Sequence, residues 1–182
     1  MGQLEQAGSE TAVRASSTLA EMSRMIEKRE REDWWQFPRE PRVEGFMGTG
    51  HFIVGDQPST SDWDETNRNR RTFYDLLPKI GLGNAHLTDF YKRRGKSGTL
   101  KKRIRANDIP TDLIEHVDFF RKEIALLNPV RIVALGHDAH WLLKRFVPEV
   151  RPILRRMWHF AYVVRYNKSA LYEENARSAL YL

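Results

Sequence analysis

The chain has 182 residues, the length of one ordinary domain. Its 30 Lys and Arg residues outnumber 24 Asp and Glu residues, and the resulting net charge of +6 and pI near 9.7 suit a polyanionic partner such as nucleic acid. The absence of cysteine excludes disulfides, thiolate metal sites, iron–sulfur clusters and a cysteine nucleophile.

Membrane and export signals are not evident in the sequence. No apolar run approaches the roughly 18 residues that span a bilayer, and the first ten residues, MGQLEQAGSE, are too polar for a secretory signal. We therefore expect a cytoplasmic protein without membrane association, with a nucleoid-associated or nuclear protein as alternatives. Composition leaves the oligomeric state open, and a monomer is the expectation.

Residues 1–40 are predicted to form a helical N-terminal arm, and residues 41–182 an α/β domain. The segment STLAEMSRMIEKRERE has apolar residues at helical spacing, which predicts an amphipathic helix packed on the domain: Leu19, Met22, Met25 and Ile26. The next segment, WWQFPREP, interrupts any helix at Pro38 and Pro41. Its rings are expected to attach the arm to the core rather than to bind a ligand: Trp34, Trp35 and Phe37.

From residue 51 onward, short apolar runs alternate with amphipathic segments. Three runs are typical of buried parallel strands, namely HFIVGD, AHLTDFY and VRIVALG, and RRMWHFAYVVRY is predicted as a last short strand. Helices are predicted in RTFYDLLPKIGLG, TDLIEHVDFFRKEIALL, DAHWLLKRFV and SALYEENARSALYL. This alternation predicts an α/β fold, a three-layer sandwich with a mainly parallel central sheet.

Ligands of such sheets bind at the carboxyl ends of the strands. The residues at these ends include two carboxylates and two histidines, so a polar cleft is predicted there: Asp56, Asp89, His137 and His159. His137 and His140 have too few accompanying ligands to predict a metal site, and we expect no metal and no cofactor. His51, His86 and His116 are interpreted as structural.

Four ordered segments, VGDQPS, HLTDFYKRR, EIALLNPVRIVALGHDA and WHFAYVVR, resemble the uracil-DNA glycosylase superfamily over about residues 50–167. That family has a first motif of the type Gly-Glu-Ala-Pro-Gly or Gly-Gln-Asp-Pro-Tyr, a middle strand ending in a base-reading Asn, and a second motif that begins His-Pro. The resemblance implies a uracil-DNA glycosylase-like fold and a monofunctional DNA glycosylase that hydrolyses N-glycosidic bonds in base-excision repair of DNA.

The resemblance also implies roles for individual residues. Asp56 falls at the acidic position of the first motif and would orient or activate a water and offset positive charge on the sugar, because N-glycosidic cleavage passes through an oxocarbenium-like state. His159 matches the second motif and would stabilise negative charge on the departing base. Gln57 follows the catalytic position as a base-binding residue. The alternative is that Asp56 is a turn residue and His159 a structural histidine.

Two residues depart from the family pattern. Asp89 stands where uracil readers have Asn, and because an ionised Asp only accepts hydrogen bonds, it favours an amino-bearing or modified pyrimidine over uracil unless it is protonated. A slip of one residue in the alignment, or a role for nearby Asn84, would remove this inference. Phe160 replaces the motif proline. The missing cysteines separate this chain from the iron–sulfur branches of the family.

A basic segment, KRRGKSGTLKKRIR, follows the second strand and is predicted to be a mobile loop that binds nucleic-acid phosphates. The predicted phosphate-binding residues also include a serine of the first motif and an arginine near the second: Ser59, Lys92, Arg93, Arg94, Lys96, Lys101, Lys102, Arg103 and Arg165. Arg105 belongs to the same segment, and a second basic patch is predicted at Arg68, Arg70 and Arg71. The alternative is a solvated charged loop.

An extruded base needs an aromatic floor, for which Phe73 is the first candidate and Trp63 the second. Either ring could instead belong to the core, and core packing is the favoured interpretation of Phe73. Tyr162 or Tyr166 is a candidate for the wedge that fills the emptied stack.

Two function classes remain open on the sequence. The first is a DNA glycosylase with Asp56 and His159 as its catalytic pair. The second is a catalytically inactive protein of the same fold that binds nucleic acid, a nucleotide or a protein. The sequence does not determine which base is removed, whether the substrate is DNA or RNA, or whether it is single- or double-stranded.

Overall fold

Four short parallel strands form the central sheet of the structure, a computed structural model that describes residues 20, 21, 24, 25, 27–29, 33–35, 37, 50–96 and 98–181. The strands are β1 (His51–Gly55), β2 (His86–Asp89), β3 (Arg131–Leu135) and β4 (Leu154–Met157). Their order within this part of the chain is β2-β1-β3-β4, and every neighbouring pair is parallel. The chain therefore winds in opposite directions from the boundary between β1 and β3.

Helices connect the strands and complete the chain: α1 (Arg68–Lys79), α2 (Thr99–Arg105), α3 (Leu113–Leu127), α4 (Gly136–Phe146), α5 (Phe160–Arg165) and α6 (Ser169–Tyr181). A 3₁₀ turn, Pro148–Val150, lies between α4 and β4. Within the described ranges, no helix has both the length and the apolar character needed to cross a bilayer.

The sheet separates two apolar layers. Phe52 and Val54 of β1 pack with buried residues of α2, α3 and α4, whereas Ile53 packs on the opposite side with residues of α1, α5 and α6. This arrangement follows from the alternation of side chains along a strand and from the continuously apolar sequence of β1, which is buried on both faces. The predicted α/β fold with a parallel sheet between helical layers is confirmed.

Two predictions of local structure were wrong. The segment predicted as a mobile basic loop contains α2, because Leu100 and Ile104, four residues apart, are buried against the core and orient a helix. The segment predicted as one final strand ends as a strand at Met157 and continues as α5. His159 caps that helix, since its Nδ1 accepts a hydrogen bond from the backbone N–H of Ala161 at 3.1 Å.

The described part of the arm packs on the domain, as the aromatic residues predicted. Residues 20, 21, 24, 25 and 27–29 are helical, while Leu19, Met22, Ile26, Pro38 and Pro41 lie outside the described residues. Trp34 is buried and stacks on His116 at a centroid distance of 4.0 Å, and Phe37 is buried in the opposite apolar layer. Between them, the backbone N–H of Trp35 donates to the carbonyl of Lys92 at 2.9 Å.

Candidate active site

The carboxyl ends of the strands bring the predicted polar residues together. Asp56 follows β1, Asp89 ends β2 in register with Gly55, and His159 lies two residues beyond β4. Ligands of open parallel sheets bind where the winding direction reverses. The residues around the ends of β1 and β3 therefore occupy the position expected of a site.

Two cavities meet at His159. The larger cavity, of about 320 Å³, is lined by Asp56, Gly136, His137, Asp138, Tyr162, Arg165 and Tyr166 together with His159. The smaller cavity, of about 100 Å³, is lined by Gln57, Asp89 and the rings of Trp35, Phe37, Trp63 and Phe160, again with His159. Leu135 and Ala161 belong to both walls. Asp56 and Asp89 thus line two different cavities that share His159 in their walls.

Asp56 is 4% exposed, and its Oδ2 accepts a hydrogen bond from the backbone N–H of Gly98 at 3.4 Å. Burial raises the pKa of this carboxyl, hydrogen bonds from the backbone of Gln57 and Gly98 oppose that rise, and the nearby charge of Asp138 adds to it. Asp138 itself forms an ion pair with Lys101 at 2.8 Å. Asp56 is therefore a shielded carboxylate held next to a cavity, which suits a base or a stabiliser of positive charge.

Asp89 is buried in a different way. Its side chain lies over Gly55, where an added Cβ would collide with Oδ1, and its Oδ2 is buried without a hydrogen-bond partner among the described residues. Burial raises the pKa of Asp89 well above its usual value, and the charges of Asp56 and Glu123 raise it further against the opposing effect of Lys92. Asp89 is accordingly held as the neutral acid over a wider pH range than Asp56.

The ammonium of Lys92 lowers the pKa of Asp89, but its hydrogen bonds go to groups other than the Asp89 carboxyl. Lys92 is fully buried, and its ammonium donates to Thr88 Oγ1 at 2.6 Å, to the backbone carbonyl of Asp89 at 2.9 Å and to Glu123 Oε2 at 3.1 Å. These three bonds use its three hydrogens. The prediction that Lys92 binds phosphate was wrong, because this side chain is an internal support of β2.

His159 presents one defined hydrogen to the cavities. Since Nδ1 accepts from the backbone of Ala161, the neutral ring carries its hydrogen on Nε2. Burial lowers the pKa of His159 to about 4 against the opposing effect of Asp138, so the ring is neutral at physiological pH. Gly136, at φ 82°, allows this approach, because a Cβ there would lie 3.2 Å from that of His159. His159 is therefore a neutral hydrogen-bond donor.

The aromatic wall of the smaller cavity differs from the predicted one. Phe73 is fully buried, does not line the cavity, and packs behind Phe160 at a centroid distance of 5.1 Å. It is therefore a core residue that supports the wall, and the prediction that it contacts a base is corrected. Trp63 does line the cavity, and its buried Nε1 has no hydrogen-bond partner in the described part of the chain.

Trp35 and Phe37 line the same cavity, although the sequence indicated them only as attachments of the arm. Their positions depend on how the arm crosses the edge of the sheet beside β2. No local motif encodes that crossing, so reasoning from the sequence missed them. Asp138 was also missed, and the signal for it is its place two residues after the Gly that ends VRIVALG.

Gln57 lines the smaller cavity as predicted for a base-binding residue, with its amide packed against Gly95, where a Cβ would collide with Nε2. Arg94 donates to the backbone carbonyls of Ser59 and Ser61, both at 3.2 Å, and so ties the first motif to the loop after β2. Ser59 is exposed.

Several of the predicted phosphate-binding cations are already paired. Arg93 forms an ion pair with Asp112 at 2.6 Å, Arg103 with Asp108 at 2.7 Å, and Lys101 with Asp138. Six other basic side chains of the two predicted basic regions and of α5 are exposed: Arg68, Arg71, Lys96, Lys102, Arg105 and Arg165. Arg70 donates to the carbonyl of Trp63 at 3.1 Å. Among the described residues, no group of three or more side chains is arranged to hold a metal ion.

In sequence comparisons, neither a known protein family nor a curated protein matches this chain. A functional assignment therefore depends on the motifs and on the geometry of the two cavities.

Proposed function

We propose that the protein is a DNA glycosylase-like hydrolase that removes an extruded pyrimidine by cleaving its N-glycosidic bond. One observation carries the proposal: His159 lines both a cavity that Asp56 lines and a cavity that Asp89 lines. A carboxylate on one side and neutral donors on the other are what heterolysis of this bond needs. The proposal agrees with the resemblance to the uracil-DNA glycosylase superfamily.

The size of the smaller cavity supports a pyrimidine. A protein cavity of about 150 Å³ binds benzene. A volume of about 100 Å³ lined by four aromatic rings therefore favours one six-membered ring over a bicyclic purine. The larger cavity, more than three times that volume, is the place for the sugar and its phosphates.

In the proposed reaction, the bond between the sugar carbon and the base nitrogen breaks, and its electron pair leaves with the base. The Nε2–H of His159 donates to the base and stabilises the developing negative charge. Asp56 stabilises the positive charge on the sugar and accepts the proton of the water that attacks it. The base anion then takes up a proton from solvent and Asp56 releases its proton to solvent, so the products are a free base and an abasic site, and no cofactor takes part.

The raised pKa of Asp89 favours its protonated form, and this changes the expected base. A protonated carboxyl presents a donor beside an acceptor, so it reads an N–H next to a carbonyl, as in uracil, and with its proton on the other oxygen it reads a ring nitrogen next to an amino group. The preference for an amino-bearing base depended on an ionised Asp89. The other donors of the cavity, His159 Nε2–H and Trp63 Nε1–H, favour a base with two carbonyl oxygens.

The test is a panel of oligonucleotides that carry uracil, thymine, cytosine, modified cytosines or hypoxanthine, assayed for abasic sites. We expect the wild type to act on uracil and the Asp56→Asn variant to be slower by about 10²- to 10⁴-fold. Asp118→Asn is the matched control, because Asp118 is an exposed aspartate on α3.

Formation of no abasic sites by a large excess of wild-type enzyme on any member of the panel would reject the hydrolase. Binding of the same oligonucleotides without cleavage would instead support the catalytically inactive nucleic-acid-binding protein. Equal rates for Asp56→Asn and Asp118→Asn would reject the role of Asp56 even if abasic sites form.

A further inference from the structure

Three aromatic side chains form a row beside the larger cavity. Trp158 and Tyr162 have ring centroids 5.6 Å apart, and Tyr162 and Tyr166 have centroids 4.8 Å apart. Trp158, Tyr162 and Tyr166 are called the aromatic ladder below. Tyr162 is 43% exposed and Tyr166 is 56% exposed, although large aromatic side chains are usually covered. Exposed rings that adjoin a cavity mark a binding surface.

The ladder continues from the proposed site. Tyr162 and Tyr166 line the larger cavity, together with Arg165 between them in the sequence and with Asp56. A nucleotide whose sugar occupies this cavity would have its chain neighbours beside the two tyrosines. The ladder therefore lies where the strand on either side of an extruded nucleotide would run.

The charges of this surface suit a phosphate backbone. Arg165 and Arg156 are both exposed there, and Arg156 contacts His137, which lines the cavity. Of the two acids that line the cavity, Asp138 is paired with Lys101 and Asp56 is 4% exposed. A strand that approaches the ladder therefore meets guanidinium groups rather than open carboxylates.

Free base faces are available in a single strand and are covered by neighbouring base pairs in a duplex. Proteins that bind single strands combine a basic track with rings on which successive bases stack. A wedge into a duplex needs one protruding side chain, whereas Tyr162 and Tyr166 lie side by side as two exposed rings. We propose that the aromatic ladder binds single-stranded nucleic acid and stacks the unpaired bases next to the nucleotide in the larger cavity.

This inference extends the proposed function but is tested by binding alone. The probe is a fluorescently labelled oligothymidylate of about 16 nucleotides, a length that covers the site of a typical single-strand-binding fold. A duplex of the same length is the second probe. Dissociation constants are measured by anisotropy for the wild type, Tyr162→Ala and Tyr166→Ala, at one fixed salt concentration.

Loss of one stacked base is expected to weaken binding of the single strand by roughly five- to a hundredfold, with duplex binding changed less than threefold. Tyr181→Ala is the matched control, because Tyr181 is a 71% exposed tyrosine at the end of α6. Tyr162→Phe and Tyr166→Phe keep the ring and are expected to bind as the wild type does. Abasic-site formation in a uracil-containing strand, measured separately, reports on the proposed hydrolase.

The inference is overturned if the alanine variants bind the single strand like the wild type or like Tyr181→Ala. Equal losses for single strand and duplex would also overturn it and would indicate a duplex wedge. A loss in the Tyr→Phe variants would indicate hydroxyl hydrogen bonds instead of stacking. If abasic sites form but the alanine variants lose no binding, only the role of the aromatic ladder is rejected. If the ladder binds the single strand as expected but no abasic sites form, only the proposed hydrolase is rejected.

Discussion

The two cavities that His159 lines differ in whether their polar side chains have hydrogen-bond or ion-pair partners. In the larger cavity, Asp56 accepts a backbone hydrogen bond and Asp138 has a lysine partner. In the smaller cavity, Asp89 Oδ2 and Trp63 Nε1 are buried with no hydrogen-bond partner among the described residues. Buried polar groups are rarely left unpaired, and in the proposed function a bound base would supply the partners on the side of Asp89.

The difference also separates the two carboxyls chemically. Both have raised pKa values because both are buried, but Asp89 Oδ2 has no hydrogen-bond partner among the described residues and the pKa of Asp89 is raised further. When the surroundings move the pKa values of two titratable groups apart, the two groups can take different roles in one reaction. In the proposed reaction, Asp56 would work as the ionised group and Asp89 as the neutral one.

The largest effect is expected on stability, from substitution of Lys92, the buried lysine that supports β2 next to Asp89. Lys92→Met removes the cation that is paired with fully buried Glu123, which leaves an uncompensated charge and costs about 3 to 5 kcal/mol of unfolding free energy. Urea unfolding measures the loss. Lys96→Met, at an exposed lysine of the same segment, is the control and should unfold like the wild type.

Equal stability of the two lysine variants would show that Lys92 is not an internal support. The double variant Lys92→Met, Glu123→Leu provides a further check. It should recover much of the loss, because replacing a whole buried pair with apolar side chains is often neutral.

A smaller effect is expected from His159, the residue common to both cavities. His159→Asn keeps an oxygen that can cap α5 and removes the Nε2–H donor, so the rate of uracil release should fall by about 10²- to 10³-fold with little change in thermal stability. Single-turnover kinetics measure the rate. A loss below tenfold would contradict the proposed role of the donor.

Much of the fold could be predicted from the sequence, because strands buried on both faces are continuously apolar and the long helices have one apolar face. The strand runs around Ile53, Leu87 and Val133 were located in this way, and their carboxyl ends predicted Asp56, Asp89 and His137 at one edge of the sheet. Periodicity and the rule for parallel sheets suffice for these features.

The remaining features depend on contacts between distant segments. Lys92 lies in a basic run and is buried only because Glu123, 31 residues away, accepts its hydrogens. Phe73 and Phe160 are both aromatic, and only the packing of α1 behind α5 makes the first a core residue and the second a cavity wall. The protonation state of Asp89 depends likewise on the surroundings that burial creates.

The pH dependence of uracil release should distinguish the two carboxyls. Activity should rise with pH as Asp56 ionises and fall by up to tenfold per pH unit as Asp89 loses its proton. The two carboxyls interact, so the rising and falling limbs of the pH profile report two pKa values of the pair rather than one value for each residue. Because the pKa of His159 is lowered to about 4, no limb is expected near 6.5, the usual value of histidine.

Asp89→Asn keeps a donor beside an acceptor and cannot ionise. It should retain activity on uracil and lose the falling limb of the profile while keeping the rising limb of Asp56. Its rates are measured on the uracil strand at each pH beside those of Asp118→Asn, which should retain both limbs. A falling limb that survives in Asp89→Asn belongs to another group and would contradict the neutral acid at Asp89.

The smallest effect is expected on the stability of the same Asp89→Asn variant, and its size depends on pH. A carboxyl whose pKa is raised in the folded state favours folding below its unfolded value of 3.8, and this contribution is lost as the pH rises toward the folded value. The amide has no such loss. Asp89→Asn should therefore approach the wild type near pH 3 and exceed it at pH 7 by at least about 1 kcal/mol, because each unit by which burial raises the folded pKa costs the wild type about 1.4 kcal/mol. Urea unfolding at the two pH values measures the difference, and a gain that is equal at both would mean that Asp89 does not titrate as its buried, unpaired oxygen requires.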